Sequence, residues 1–140
     1  MNAKVAVFAP VYPTEVQEKV EKAILNFFPF TLELQDDVIP GLYGEGNIEN
    51  LRKLHSCLRE ERILDTARRI FLNGIQGNTT RFRLKKQVAY IGKLNFPGGV
   101  ENLGSIDVEI SADNEDDLLA IIDWLAPQTV DGEPVIEIEL

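Results

Sequence analysis

Thr80-Arg81-Phe82-Arg83-Leu84-Lys85-Lys86 sets Phe82 and Leu84 in alternation with Arg81, Arg83 and Lys85. A period of two is that of a half-buried strand, so the three cations belong on one sheet face and Phe82 and Leu84 on the other. The same period recurs from Ser105 to Ser111, where Ile106, Val108 and Ile110 alternate with Asp107 and Glu109. It recurs again from Val135 to Leu140, with Glu137 and Glu139 outside. Lys4 to Val11 reads as a buried strand carrying Val5, Val7 and Val11, and Thr31 to Leu34 as a second strand. Gln87 to Phe96 continues as a further extended stretch with Tyr90, Leu94 and Phe96.

Between these runs the period becomes helical. Val16, Val20, Ala23, Ile24 and Phe27 share a face of a helix that Thr14 is placed to cap, with Glu18 and Lys22 paired outside and Pro29 ending it. Pro40-Gly41, Gly44 and Gly46 make the next stretch a loop. From Asn47 to Leu72 two apolar stripes appear: Ile48, Leu51, Leu54 and Leu58, then Ile63, Leu64, Ala67, Ile70 and Phe71. They lie about 170° apart at about 100° per residue, so one straight helix cannot bury both. Two helices with a break near Arg59 to Arg62 satisfy the pattern. Gly98-Gly99 turns the chain, Asp113 caps a last helix through Leu118, Ile121, Ile122 and Leu125, and Asp131-Gly132 turns it again. The order β-α-β-α-α-β-β-β-α-β defines a single α+β domain over residues 1–140, a mostly antiparallel sheet with helices on one face.

Charge is distributed unevenly over this framework. Arg52 to Lys93 holds 11 of the 14 Lys and Arg but only 3 of the 23 Asp and Glu, a local balance of +8. Residues 1–51 stand at −5 and residues 94–140 at −12, for a formal net charge of −9. A basic centre between acidic flanks either meets a polyanion or is neutralised by the protein's own acidic strands. Arg81, Arg83 and Lys85 can lie opposite Asp107 and Glu109, or Glu137 and Glu139, on neighbouring strands. Arg52, Lys53, Arg59, Arg62, Lys86 and Lys93 have no evident local partner.

Catalytic chemistry has little to work with. The one His and one Cys, His55 and Cys57, sit two residues apart on a helix and so about 200° around it, which separates them as a reacting pair. Gly41, Gly44 and Gly46 lack the Gly-Lys-Ser/Thr of a phosphate loop. Asp113, Glu115, Asp116 and Asp117 suit a helix start better than a cation site. Trp124 reads as core or interface packing. The expectation is a non-enzymatic protein with no cofactor, no metal and no small-molecule substrate. No apolar run approaches the roughly 20 residues of a membrane-spanning helix. The N-terminal run reads as a strand rather than a secretory leader, and the single cysteine suits a reducing cytoplasm.

Five blocks, taken together, resemble a known family. They are Pro10-Val11-Tyr12-Pro13-Thr14-Glu15, Ile63-Leu64-Asp65-Thr66-Ala67-Arg68, Lys86-Gln87-Val88-Ala89-Tyr90-Ile91-Gly92-Lys93-Leu94-Asn95-Phe96, Leu103-Gly104-Ser105-Ile106 and Asp123-Trp124-Leu125-Ala126-Pro127. In order and spacing they resemble uncharacterised protein family 0201, small archaeal proteins, from about Lys4 to Asp131. The resemblance implies a fold similar to the 5S-rRNA-binding large-subunit ribosomal protein, a homodimer, and RNA binding. With the basic segment 52–93, it makes Arg59, Arg62, Arg68, Arg69, Arg81, Arg83, Lys85, Lys86, Gln87 and Lys93 the expected RNA contacts. The alternative is a dimeric structural or protein-interaction module whose basic segment is neutralised by its own acidic strands.

Overall fold

The computed structural model describes residues 2–36, 38–97 and 104–140. Strand β1, Ala3–Pro10, buries Val5, Val7 and Ala9 and turns Lys4, Ala6 and Phe8 the other way. Helix α1, Gln17–Leu25, buries Val20, Ala23 and Ile24. Its N-cap is Val16 and not Thr14; Glu15 instead accepts the Tyr12 amide at 3.0 Å and shapes the turn that leads in. Strands β2, Glu33–Gln35, and β3, Gly41–Gly46, follow. A 3-10 turn at Ile48–Leu51, closed by a reciprocal Asn47–Asn50 capping box, leads into α2, Arg52–Glu60, and then α3, Leu64–Asn73.

The expected break between these two helices is present. Arg62 takes a left-handed φ of 57°, and Ile63 donates its amide back to the Leu58 carbonyl at 3.1 Å, a closure that satisfies the last carbonyls of α2. The turn lets α2 bury Leu54 and Leu58 while α3 buries Leu64, Ala67 and Phe71. The chain continues through β4, Ile75–Gln76, β5, Thr79–Lys85, and the short α4, Lys86–Tyr90. After it come β6, Ser105–Ala112, α5, Glu115–Leu125, and a small hairpin of β7, Thr129–Val130, and β8, Glu133–Pro134. Asp131 and Gly132 make the hairpin turn with φ of 53° and 82°.

Six strands form one sheet in the order β2-β3-β1-β6-β5-β4, every neighbouring pair antiparallel. Phe82 and Leu84 point into the core with Val5, Val7, Ile106, Val108 and Ile110, and the helices cover that face. Arg81, Arg83 and Lys85 point to the other face, as their alternation requires. The α+β class and the one-sided helical cover follow from the sequence pattern.

Three stretches differ from expectation. Gly41–Gly46 is a strand beside β1, not a loop. Its glycines remove side chains where others press in: a Cβ on Gly41 would overlap the Phe8 ring, and one on Gly46 would overlap Asn50. The start of the 87–96 stretch is helical, because Ala89 packs inward while Asn26 Nδ2 donates to the Ala89 and Tyr90 carbonyls at 2.8 and 3.2 Å, satisfying its last turn. Val135 to Leu140 pairs with no strand among the described residues; side chains anchor it instead, as described below. The cap of α5 is Asn114, which accepts the Asp117 amide at 2.8 Å, in place of Asp113. The Gly98-Gly99 turn lies outside the described residues.

Candidate nucleic-acid interface

Antiparallel register decides the fate of the β5 cations. Arg81 stands opposite Glu109 and Arg83 opposite Asp107. Arg81 Nε donates to Glu109 Oε2 at 2.9 Å. The Asp107 side chain stays accessible, yet the flanking sheet partly withdraws it from water and pushes its carboxyl up, with Arg83 and Lys86 pulling it back.

The arginines of α2 and α3 meet the acidic C-terminal part of the chain. Arg59 forms a bidentate pair with Glu137, Nε to Oε2 at 2.8 Å and Nη2 to Oε1 at 2.6 Å. Its Nη1 donates to the His55 and Leu125 carbonyls, and Nη2 to that of Trp124. These hydrogen bonds hold the Glu137 carboxyl below the usual range. Arg62 pairs with Glu133 at 2.9 Å, and Arg68 with Asp123 at 2.8 Å. Arg52 binds Glu49 and the Leu140 carbonyl. His55 stacks on Trp124 with centroids 4.6 Å apart; burial, then the Arg59 charge, hold its imidazole below its ordinary value. Burial pushes the Cys57 thiol up, away from nucleophilic range. Among the described residues no three His, Cys, Asp or Glu side chains gather to hold a metal, and no helix is long and apolar enough to cross a membrane.

Lys86 is only 3% exposed. Its ammonium donates to the Pro10 carbonyl at 2.7 Å and to both Glu15 oxygens at 2.9 and 3.1 Å. Two of the blocks that carry the family resemblance therefore meet in one buried ion pair.

What remains gathers around α4. Lys85 precedes this helix, Gln87 is exposed on it, and Lys93 follows its end, donating its amide to the Val88 carbonyl. Helix α1 packs against α4 and brings Lys22 to 4.9 Å and Lys19 to 5.9 Å from the centroid of the half-buried Tyr90 ring. The expected Glu18–Lys22 pair is absent from the ion pairs of the described residues. Lys19, Lys22, Lys85 and Lys93 form no ion pair there, nor do the exposed Lys53 on α2 and Arg69 on α3. Sequence reasoning missed Lys19 and Lys22 because they lie outside the basic segment. Their signal was a spacing of three on one exposed helix face.

A surface of exposed cations about an aromatic ring, here where α1 packs on α4, is the kind of surface nucleic-acid-binding proteins present. In keeping with it, residues 4–112 match a family model described as RNA binding. The chain is 38% identical to the UPF0201 protein of Methanosarcina acetivorans, over all of this chain and 93% of that one. It is 36% identical to the UPF0201 protein of Methanopyrus kandleri, covering 99% and 94%. The crystal structure of the UPF0201 protein from Methanococcus jannaschii superposes with a TM-score of 0.84 at 38% identity, covering 95% of this chain and 99% of that one. The chain belongs to the UPF0201 family.

Proposed function

We propose that this protein is a non-enzymatic RNA-binding protein whose phosphate contacts come from the cations around α4. The observation that carries this reading is a set of exposed cations, Lys19 and Lys22 beside the Tyr90 ring and Lys93 just after α4, with the half-buried Lys85 at the start of that helix. None has an acid paired to it among the described residues. Gln87 and Lys93 of the basic segment contribute directly. Arg69, exposed on α3, is a secondary contact. Arg59, Arg62, Arg68, Arg81 and Lys86 serve the fold, because each is held by an acid of the same chain. Phosphate neutralisation releases counterions, so log K should fall with log salt by about 0.7 per phosphate on single strands. Changing Lys19, Lys22, Lys85 and Lys93 together to Gln should weaken RNA binding and flatten that slope while the urea midpoint holds. Filter binding at two salt concentrations reads both effects. Absence of RNA affinity at about 50 mM salt, where the electrostatic contribution is large, would remove this reading.

A second reading concerns assembly. The helix-free face of the sheet carries Ala6, Phe8 and Tyr43 at its middle, Glu33 and Glu45 towards the β2 side, and Arg81 and Arg83 on β5. A two-fold axis over β1 would lay the Ala6, Phe8 and Tyr43 strip of one copy on that of the other, a self-complementary isologous contact, with Arg81 and Glu109 and Lys4 and Glu45 already matched inside each copy. We propose a homodimer through this face. Light scattering at tens of micromolar should give twice the chain mass, and Phe8→Glu should halve it; a monomeric mass for the unmodified chain overturns the proposal.

A further inference from the structure

We propose that the cavity between α1 and α4 receives a single unpaired base, which makes single-stranded RNA the ligand class of this protein. The inference rests on the RNA-binding reading above and specifies its ligand. The cavity measures about 220 Å³ and is lined by Thr14, Val16, Lys19, Val20, Gln87 and Tyr90, with the Lys86–Glu15 pair behind them. Its chemistry is divided in the way a nucleotide requires. Tyr90, Val16 and Val20 offer an aromatic and aliphatic lining, and Val16 is 52% exposed at its mouth. The Gln87 amide and the Thr14 hydroxyl are exposed at the rim, and neither side chain has a hydrogen-bond partner among the described residues. Each offers both a donor and an acceptor, the complement of a base edge.

The cations complete the pattern. Lys19 and Lys22 are held near the Tyr90 ring by cation–π attraction and not by a carboxylate. Such a hold is weak at an exposed site, so both ammoniums can swing to a phosphate while a base takes their place on the ring. Behind the cavity, Lys86 has already spent its ammonium on Pro10 and Glu15. It therefore fixes the wall without adding charge. A base within a duplex is stacked and paired and cannot enter a cavity between two helices, whereas a single strand turns its bases out.

Fluorescence anisotropy with labelled single-stranded decamers of mixed sequence, beside a hairpin of the same composition whose ends are joined by a non-nucleotide linker so that every base is paired, tests this. The unmodified protein should bind the single strand at least tenfold more tightly than the hairpin. Tyr90→Ala should lose about tenfold on the single strand and little on the hairpin, the scale of one lost stacking contact. Tyr90→Phe should keep the affinity. Gln87→Ala, at an exposed position that leaves the fold alone, should lose several-fold on the single strand and covers the case in which Tyr90→Ala unfolds. Equal affinity for hairpin and strand, or both Tyr90→Ala and Gln87→Ala within twofold of the unmodified protein, overturns the inference. In that outcome a loss on the four-lysine variant would leave the RNA-binding reading standing. No binding of either RNA removes both.

Discussion

Lys86 shows how far a residue's role depends on what lies behind it. In sequence it is one more cation of a basic run; in the fold its ammonium is enclosed by Pro10, Glu15 and the Tyr12 ring, 5.2 Å from centroid to nitrogen. Removing one member of a buried pair strands the other, which costs about 3–5 kcal/mol. Lys86→Met should therefore lower the urea-unfolding free energy by about 3 kcal/mol, with Glu15 left facing an apolar group. Arg81→Gln should cost only about 0.2–1 kcal/mol, because its pair with Glu109 is open to solvent. Equal costs for the two would show that Lys86 is not enclosed. The contrast also marks what the sequence could disclose. The outward direction of Arg81 was legible from the alternation with Phe82 and Leu84, since strand geometry leaves no other choice. The inward direction of Lys86 was not, because the burial comes from Pro10 and Glu15, more than seventy residues away in the chain.

At the scale of elements, the arginines of α2 and the segment after β8 form one electrostatic unit. Two of its groups titrate in acid, and their signs agree. His55 has a depressed value in the folded state, so the unfolded chain binds its proton first and stability falls as pH drops below about 6.5. Glu137 is also depressed, and its share is present above its ordinary value of 4.5 and lost as pH falls below it. Asp107, raised, works the other way and softens the acid loss. Urea midpoints between pH 8 and 3 should hold above about 6.5 and fall in two stages below it. His55→Gln should abolish the first stage and Glu137→Gln shrink the second, to which Glu45 and Glu49, held below the usual range by hydrogen bonds from Tyr43 and Arg52, also contribute. A flat profile down to pH 4 would contradict the His55 environment. The two helices of this unit were legible, since two apolar stripes on opposite sides cannot belong to one rod. β3 was not, because Gly41, Gly44 and Gly46 carry no alternation; they are shaped by the rings and side chains pressed against them. α4 was hidden by its shortness, five residues whose apolar spacing suits either period.

Across the whole molecule, the partition of charge resolves into two populations. The acids of the C-terminal part hold Arg59, Arg62, Arg68 and Arg81, while Lys19, Lys22 and Lys93 around α4 stay exposed, two of them from outside the basic segment. The segmental imbalance was legible in the sequence; its division into spent and available charge needed the register and the packing of α1 on α4. The segment from Val135 to Leu140 carries a last consequence. Val135 donates its amide to the Gln128 carbonyl at 2.9 Å, and beyond it no backbone amide of this segment donates to backbone among the described residues. Side chains alone hold Ile136 to Leu140 in place. Its amides should therefore exchange with deuterium in seconds, while those of β1 and β6, paired on both sides, wait for global unfolding. Raised ionic strength should hasten exchange at Glu137 and Ile138 and leave the central strands unmoved. The chain would then fasten at two speeds, a slow hydrogen-bonded body and a fast ionic clasp, and slow exchange over residues 136–140 would show that the clasp is backbone after all.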